Sequence, residues 1–411
     1  MQEKELIPQL YRSEFRKITA VLCRLFGIEH ISIAEDIVGD TFLLAAETWG
    51  FKGIPQNPAA WLYTVAKNKA KDFLKRNAIY NEKVSPAIQL ASENTNEVEV
   101  DLSSNNIKDS QLQMMFAICY PGIPPESQIG LSLRILCGFS IDEIADAFLT
   151  NKETINKRLY RAKEKLKEDK VKIEMPPDAE IDKRIDNVLI TLYLLFNEGY
   201  YSSSKNAVLS KDLCLEAMRL TYMLAENTST NKPDVNALLS LMCFHASRFD
   251  ARIAPDGELI LYDDQDISLW NNELITNGEH FLNMAARGNV VSKYHIEAAI
   301  AYWHTADKDS PEKWEKVLSL YNRLLIIEYS PIAALNRTYA LAKVYGNEAG
   351  IAEAEKLKLE NSNLYHGLLG ELYTGVDNKK AIDHLTTASK LTKAAADRKV
   401  ILKKIEKLKA G

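Results

Sequence analysis

The chain of 411 residues is short of the residues that punctuate turns, with only 17 glycines and 13 prolines. A turn-rich β fold needs more of both, so their scarcity points to helices joined by short connections. Long uncharged runs are also missing. None approaches the ~18 apolar residues that a membrane-spanning helix needs, so no span is expected. The opening stretch, MQEKELIPQLYRSEF, has early charges and no apolar core of the kind a signal peptide carries, and the chain reads as cytoplasmic. Cysteines are few, five in number and widely spaced (Cys23, Cys119, Cys137, Cys214, Cys243), with no CxxC pair. That excludes a disulfide framework and a zinc site, and leaves buried free thiols as the expectation. Seven histidines form no HExxH or HxxxH pair, and the chain has no nucleophile elbow, P-loop or dinucleotide fingerprint. Neither an enzyme, nor a metal, nor a cofactor is expected.

Apolar residues make up 46% of the chain, ample for two or three packed domains. The formal net charge of −5 gives no hint of a nucleic-acid partner. The charges are segregated, however. Residues 61–76 set Lys67, Lys69, Lys71, Lys75 and Arg76 against Asp72, and residues 152–170 set eight basic residues against four acidic ones. Local patches, not the whole-chain sum, are what a polyanion meets within a Debye length.

The pattern along residues 5–76 is helical. In AEDIVGDTFLLAAETW, Val38, Phe42, Ala45 and Trp49 form one apolar stripe, with Asp36, Asp40 and Glu47 on a separate polar face. GFKGIPQ is a turn. Asn57 before Pro58 then reads as an N-cap with proline at the first helical position. The helix it opens buries Leu62, Ala66, Ala70 and Phe73, and presents Lys67, Lys71 and Lys75 at four-residue steps. Residues 77–110 lose this period and are rich in Asn, Ser and Glu, with six acidic residues against Lys83 and Lys108. They read as a flexible acidic linker. Residues 111–172 are helical again. Ser140 with Glu143 predicts a capping box before IDEIADAF, and a break at LTNK precedes ETINKRLYRAKEKLKEDK. Ile141, Ile144, Ala145, Phe148, Ile155 and Leu159 supply the inner face of a helix-turn-helix whose second helix would enter the major groove. After a boundary at MPPDAE, residues 178–411 read as a long helical extension with one strand-like run, Glu258 to Tyr262. Near its end, Leu369, Gly370, Tyr373, Ala381, Leu385 and Ala388 fall close to the spacing of the tetratricopeptide repeat. The expected fold is all-α.

Two of these patterns, in this order, resemble the extracytoplasmic-function sigma factors of bacterial RNA polymerase. AEDIVGDTFLLAAETW and NPAAWLYTVAKNKAKDFLKR resemble the family's region 2, and PESQIGLSLRILCGFSIDEIADAFLTNKETINKRLYRAKEKL its region 4. The segments LYLLFNEGYYSS and DDQDISLWN, further on, resemble the subgroup with a tetratricopeptide-like C-terminal extension. The resemblance implies region 2 over 1–76, a linker over 77–110, region 4 over 111–172 and the extension over 178–411. It implies that Glu35, Asp36, Asp40 and Glu47 dock on the clamp helices of the polymerase β′ subunit, and that region 4 meets the β flap. It implies that Lys67, Lys71 and Lys75 lie along the −10 promoter element, with Phe51, Lys52 and Asn57 in the turn where the family grips a flipped base. Trp61 and Tyr63 are further stacking candidates, although aromatic residues at helical spacing are more often core. Lys152, Glu153, Thr154, Asn156, Lys157, Arg158 and Arg161 would serve the −35 element, early residues at base edges and later ones at phosphates. For each charge the alternative is an ordinary solvated helix face, and for the linker a plain tether instead of a strand threading the polymerase cleft.

The extension is the least legible part. Asn197, Glu198 and Tyr200 follow an apolar run, and Asp263, Asp264, Gln265 and Asp266 cluster in a loop. Such a cluster could hold a cation, but residues of this kind more often cap helices and tie down a long loop. Helical-hairpin arrays present concave surfaces to peptides and proteins, so a regulatory protein is a candidate partner there. A second overall reading stays open: a helix-turn-helix regulator whose helical extension senses a peptide. The separate basic helix at 61–76 weighs against it, because an operator binder needs no melting domain.

Overall fold

A computed structural model describes residues 3–84, 100–148, 150–200, 207–252, 260, 264–305, 310–392 and 395–410. Two compact units divide the chain, Met1–Glu198 and Gly199–Gly411. Among the described residues there is no strand. All five cysteines are buried and free.

The first unit opens with three helices, α1 (Glu3–Phe26), α2 (Ile31–Lys52) and α3 (Pro58–Val84). Their core is the apolar stripe of each, including Phe15, Ile18 and Leu22 of α1, Val38, Phe42, Ala45 and Trp49 of α2, and Leu62, Ala66 and Ala70 of α3, all buried. Gly53 ends α2 at φ 81°, a backbone setting that favours glycine, and its N–H donates to the Trp49 carbonyl. Asn57 caps α3 as expected, its Oδ1 accepting from the Ala60 N–H at 3.0 Å. α3 runs on to Val84, eight residues into the stretch expected to be linker. The middle of that stretch, 85–99, lies outside the described residues.

Four further helices follow: α4 (Ser104–Ile118), α5 (Pro125–Leu131), α6 (Ile141–Ala147) and α7 (Lys152–Glu168). α5 continues into a π-helical turn over Ser132–Leu136. The capping box at Ser140 is present in full, with reciprocal bonds to Glu143. Asn151 caps α7 by accepting from the Thr154 N–H at 2.8 Å. Each helix of the helix-turn-helix therefore has its start fixed by its own cap, Ser140 for α6 and Asn151 for α7.

Helix α8 (Asp178–Tyr200) opens the expected extension, yet up to Glu198 it belongs to the first unit. The reason is a buried polar joint. Gln128 of α5 donates to the carbonyls of Tyr120 and Ile123, and its oxygen accepts from Asn187 at 2.9 Å and from Thr191 at 2.7 Å. Arg184 donates to the Phe116 carbonyl at 2.9 Å, and Asn187 also donates to the carbonyl of Cys119. Ile181, Ile185, Val188, Leu189 and Leu192 bury the same face.

The second unit runs from α9 (Ala207–Glu226) through α10 (Pro233–Ala246), α11 (Phe249–Arg252), α12 (Asn272–Ala285) and α13 (Lys293–Trp303). α10 is its axis, buried on nearly every residue. Gly278 lets α12 come close, since a side chain there would meet the Phe244 ring, and its carbonyl accepts from Ser240 Oγ at 2.7 Å. The remaining helices are α14 (Pro311–Ile327), α15 (Pro331–Tyr345), α16 (Asn347–Lys356), α17 (Asn363–Tyr373), α18 (Asn378–Leu391) and α19 (Ala395–Ala410), each packed on the next. Leu369, Gly370, Tyr373, Ala381, Leu385 and Ala388 are all buried, and Gly370 admits Leu385 against its Cα. The expected strand-like run lies outside the described residues except for Ile260, whose N–H donates to the Arg252 carbonyl.

Candidate nucleic-acid interface

The α2–α3 turn carries an unusual side chain for a soluble surface. Phe51 is 94% exposed, beside exposed Lys52 and Asn57. Asn57 spends its oxygen on the helix cap, which leaves only its amide nitrogen for a ligand. Along α3, Lys75 is exposed, and Lys67 and Lys71 are half-buried. Lys69 lies off this face and pairs with Asp40 at 3.3 Å. Trp61 is half-buried with its ring edge-on to buried Trp49, 5.4 Å between centroids. The Tyr63 hydroxyl donates to Glu14 Oε2 at 2.6 Å, so the tip of that ring is tied inward. Burial alone would raise the Glu14 pKa, but hydrogen bonds from Lys17 and Tyr63 hold it below the ordinary carboxylate range. Val100, Asp101 and Leu102 border a hollow shared with Tyr63, Thr64 and Lys67.

The acidic face of α2 is partly as expected. Asp36, Asp40 and Glu47 are exposed. Glu35 is not. It points inward at 9% exposure, where Oε1 accepts from Arg134 Nε at 2.7 Å and Oε2 from Lys163 Nζ. The helical period alone sets Glu35 beside Asp36, and the cations that draw it inward lie 99 and 128 residues away in sequence. Glu35 is therefore outside the surface that α2 offers to a partner in this arrangement. Burial works against the Arg134 charge, yet the Glu35 carboxylate outweighs it and raises the pKa of the guanidinium.

On α7, Ile155, Leu159, Ala162 and Leu166 are buried. Lys152, Glu153, Thr154, Asn156, Lys157 and Arg161 are exposed together on the outer face. Lys152 also reaches Asp142 of α6 at 2.6 Å. Arg158 differs from its neighbours, because its guanidinium lies 5.1 Å from the ring centroid of Phe148 in the turn, and it is half-buried.

In the second unit, α9, α10 and α12 enclose a groove whose walls include Leu215, Met218, Tyr222, Phe281 and Met284. Asp263 lies outside the described residues. Asp266 caps a short helical turn through Ser268. Glu198 and Tyr200 are on α8, half-buried and buried respectively, and desolvation raises the Glu198 pKa. One pairing escaped the sequence pattern: His366 of α17 and His384 of α18 bring their Nδ1 atoms within 3.0 Å. Their separation of 18 residues is one hairpin, which only a firm repeat register would reveal.

A three-helix body with a basic helix, followed by a helix-turn-helix whose two helices are each capped, is the architecture of a DNA-binding protein. Family comparisons assign three stretches of the chain. Residues 10–79 match sigma-70 region 2, residues 122–166 match sigma-70 region 4, and residues 184–286 match a family of unknown function, DUF6596. The chain is 33% identical over 349 residues to an uncharacterized protein of Rhizobium meliloti (strain 1021), covering 84% of this chain and 82% of that one. It is 25% identical over 173 residues to the RNA polymerase sigma factor YlaC of Bacillus subtilis (strain 168), covering 42% of this chain and 96% of that one. No solved structure matches. The chain belongs to the sigma-70 family: it is a sigma factor that binds core RNA polymerase and promoter DNA and directs transcription initiation.

Proposed function

We propose that the two basic surfaces divide the promoter between them. Lys67, Lys71 and Lys75 follow the phosphates of the −10 element, and Phe51, Lys52 and Asn57 hold an unstacked base at the α2–α3 turn. Lys152, Glu153, Thr154 and Asn156 read base edges at −35, Lys157 and Arg161 span bases and phosphates, and Arg158 sets the turn that presents them. Asp36, Asp40 and Glu47 dock on the β′ clamp helices, where charge complementarity governs orientation and on-rate, and region 4 meets the β flap. The extension, built of tetratricopeptide-like hairpins, regulates this activity through a protein partner, and the whole acts in the cytoplasm beside the polymerase. No chemical step falls to this chain.

The observation that carries the reading is the outer face of α7. The Asn151 cap fixes its first turn, and six polar side chains stand exposed on it while its apolar side is fully occupied. A helix built for solvent alone has no need of that preorganised first turn at the end of a helix-turn-helix. Run-off transcription with purified core polymerase is the test. Defined start sites should appear with this protein and vanish when Lys157 and Arg161 are replaced together by alanine. Unaltered start-site choice by that variant would remove α7 from −35 recognition.

A further inference from the structure

We propose that His366 and His384 form a metal site, at which a zinc ion is held by their two Nδ1 atoms and clamps helix α17 to helix α18. The inference is independent of the promoter assignments, since both residues lie in the second unit.

The hairpin brings the two rings together and leaves them little freedom. α17 and α18 close on one another where Gly370 admits Leu385, with Leu369, Ala381, Leu385 and Ala388 buried. His366 stands one turn before Gly370 and His384 directly before Leu385. Their Nδ1 atoms meet at 3.0 Å, with 5.2 Å between ring centroids. Each ring is also held from another side. His366 Nε2 lies 2.9 Å from the Glu360 carbonyl. A carbonyl only accepts, so that nitrogen carries the proton and Nδ1 presents a lone pair. Tyr373 stacks on the His384 ring with 7° between planes, and its hydroxyl donates to Glu355 Oε1 at 2.6 Å.

In the metal-free chain the two Nδ1 atoms share one hydrogen bond, donated by His384. The support behind them is that of a metal ligand. A ligating histidine ordinarily gives its other N–H to a carbonyl or carboxylate, which fixes its tautomer and orients its ring. The Glu360 carbonyl does this for His366. Two imidazole nitrogens each about 2.0–2.1 Å from one zinc ion, at tetrahedral or right angles, lie roughly 2.9–3.4 Å apart. The observed spacing therefore takes an ion after a small pivot of the rings. Binding replaces the N–H···N bond with two N–metal bonds, and the His384 proton passes from Nδ1 to Nε2 by exchange with water. Both rings are half-buried, so the ion and its waters can enter.

Among the described residues no group of three histidine, cysteine or carboxylate side chains gathers at one point. The two imidazoles are thus the chain's whole donor set here, and water fills the other positions. Glu355 and Asp383 supply negative charge near His384 and outnumber the opposing Lys380. Imidazole nitrogen suits zinc, whereas magnesium takes oxygen ligands and keeps several of its waters. The bound ion ties two helices that otherwise meet through apolar contacts, and so stiffens the hairpin.

The test is calorimetric titration of the chelator-stripped full chain with zinc chloride, and with magnesium chloride as the control. Wild type should take up about one equivalent of zinc in preference to magnesium. His366→Gln and His384→Gln should each weaken zinc uptake by about tenfold or more, and zinc should raise the thermal midpoint of wild type alone. A second measurement needs no variant and stays decisive if either one fails to fold. Zinc should shield His366 and His384 from diethyl pyrocarbonate, read by peptide mass mapping, while exposed His280 reacts as before. No zinc uptake by folded wild type, uptake unchanged in folded variants, equal affinity for magnesium, or unshielded imidazoles would each overturn the site.

Discussion

Arg158 and its neighbours show how one helix divides its labour among single side chains. Lys157 faces solvent, so Lys157→Ala should weaken promoter binding across sequences and lower the salt slope by about 0.7–0.9, as one lost phosphate contact does. A salt series of gel shifts measures this. Arg158 packs on Phe148 instead. Arg158→Ala should cost about 0.5–1 kcal/mol of stability, seen as a lower denaturant midpoint, and should weaken promoter binding through the loosened turn. In region 2 the tie between Tyr63 and Glu14 gives a pH-dependent prediction. Glu14 titrates lower in the folded state than its ordinary 4.5. Its stabilising share is thus present above that value and is lost as pH falls through the lower folded one. Tyr63→Phe should cost about 1.5–3 kcal/mol at pH 7, and the gap from wild type should shrink on acidification, read from urea midpoints. Much at this scale was legible in the sequence: the caps at Asn57 and Ser140, most of the apolar stripes and most of the exposed charges follow from local spacing. Glu35 was not, because its partners are distant in sequence and a period of 3.6 residues says nothing about who lies across an interface.

At the scale of elements, the caps and apolar periods located the helices, but not which body each helix joins. α8 reads as the start of the extension because it follows a Pro-rich break. Its buried face and its Gln128 joint attach it to region 4. A chain ending before residue 175 should therefore expose Phe116, Gln128 and their surroundings, and should aggregate or melt early. A chain ending after Tyr200 should retain the region 4 core, and thermal unfolding of the two truncations compares them directly. Asn187→Ala tests the joint itself. It leaves the Cys119 carbonyl and Gln128 short of a donor, at a cost of about 1–3 kcal/mol. The end of α3 was missed for a related reason: Asn, Glu and Lys dilute the apolar period over 77–84, yet nothing there forbids a helix that is already nucleated.

For the whole molecule, charge is distributed by task, not by total. A net −5 conceals two basic helices and one acidic face, and Asp101 of the segment between them borders the same hollow as Lys67 of α3. Removing residues 201–411 should change transcript yield with core polymerase and leave the start site alone, since the side chains proposed to face DNA all lie in the first unit. Quantified run-off products check both halves of that statement, and equal yields would make the second unit dispensable in vitro. Its all-helical character was foreseeable from the scarcity of glycine and proline. The closeness of His366 to His384 was not, because hairpin register there is too degenerate to align from spacing alone.

The family model for the second half begins at residue 184, inside a helix whose inner face belongs to region 4. Anyone grafting this extension onto a different sigma factor would carry over Asn187 and Thr191 without the glutamine that receives them. Chimeras joined at residue 178 should misfold unless the recipient also acquires Gln128, whereas junctions after Glu198 respect the natural seam.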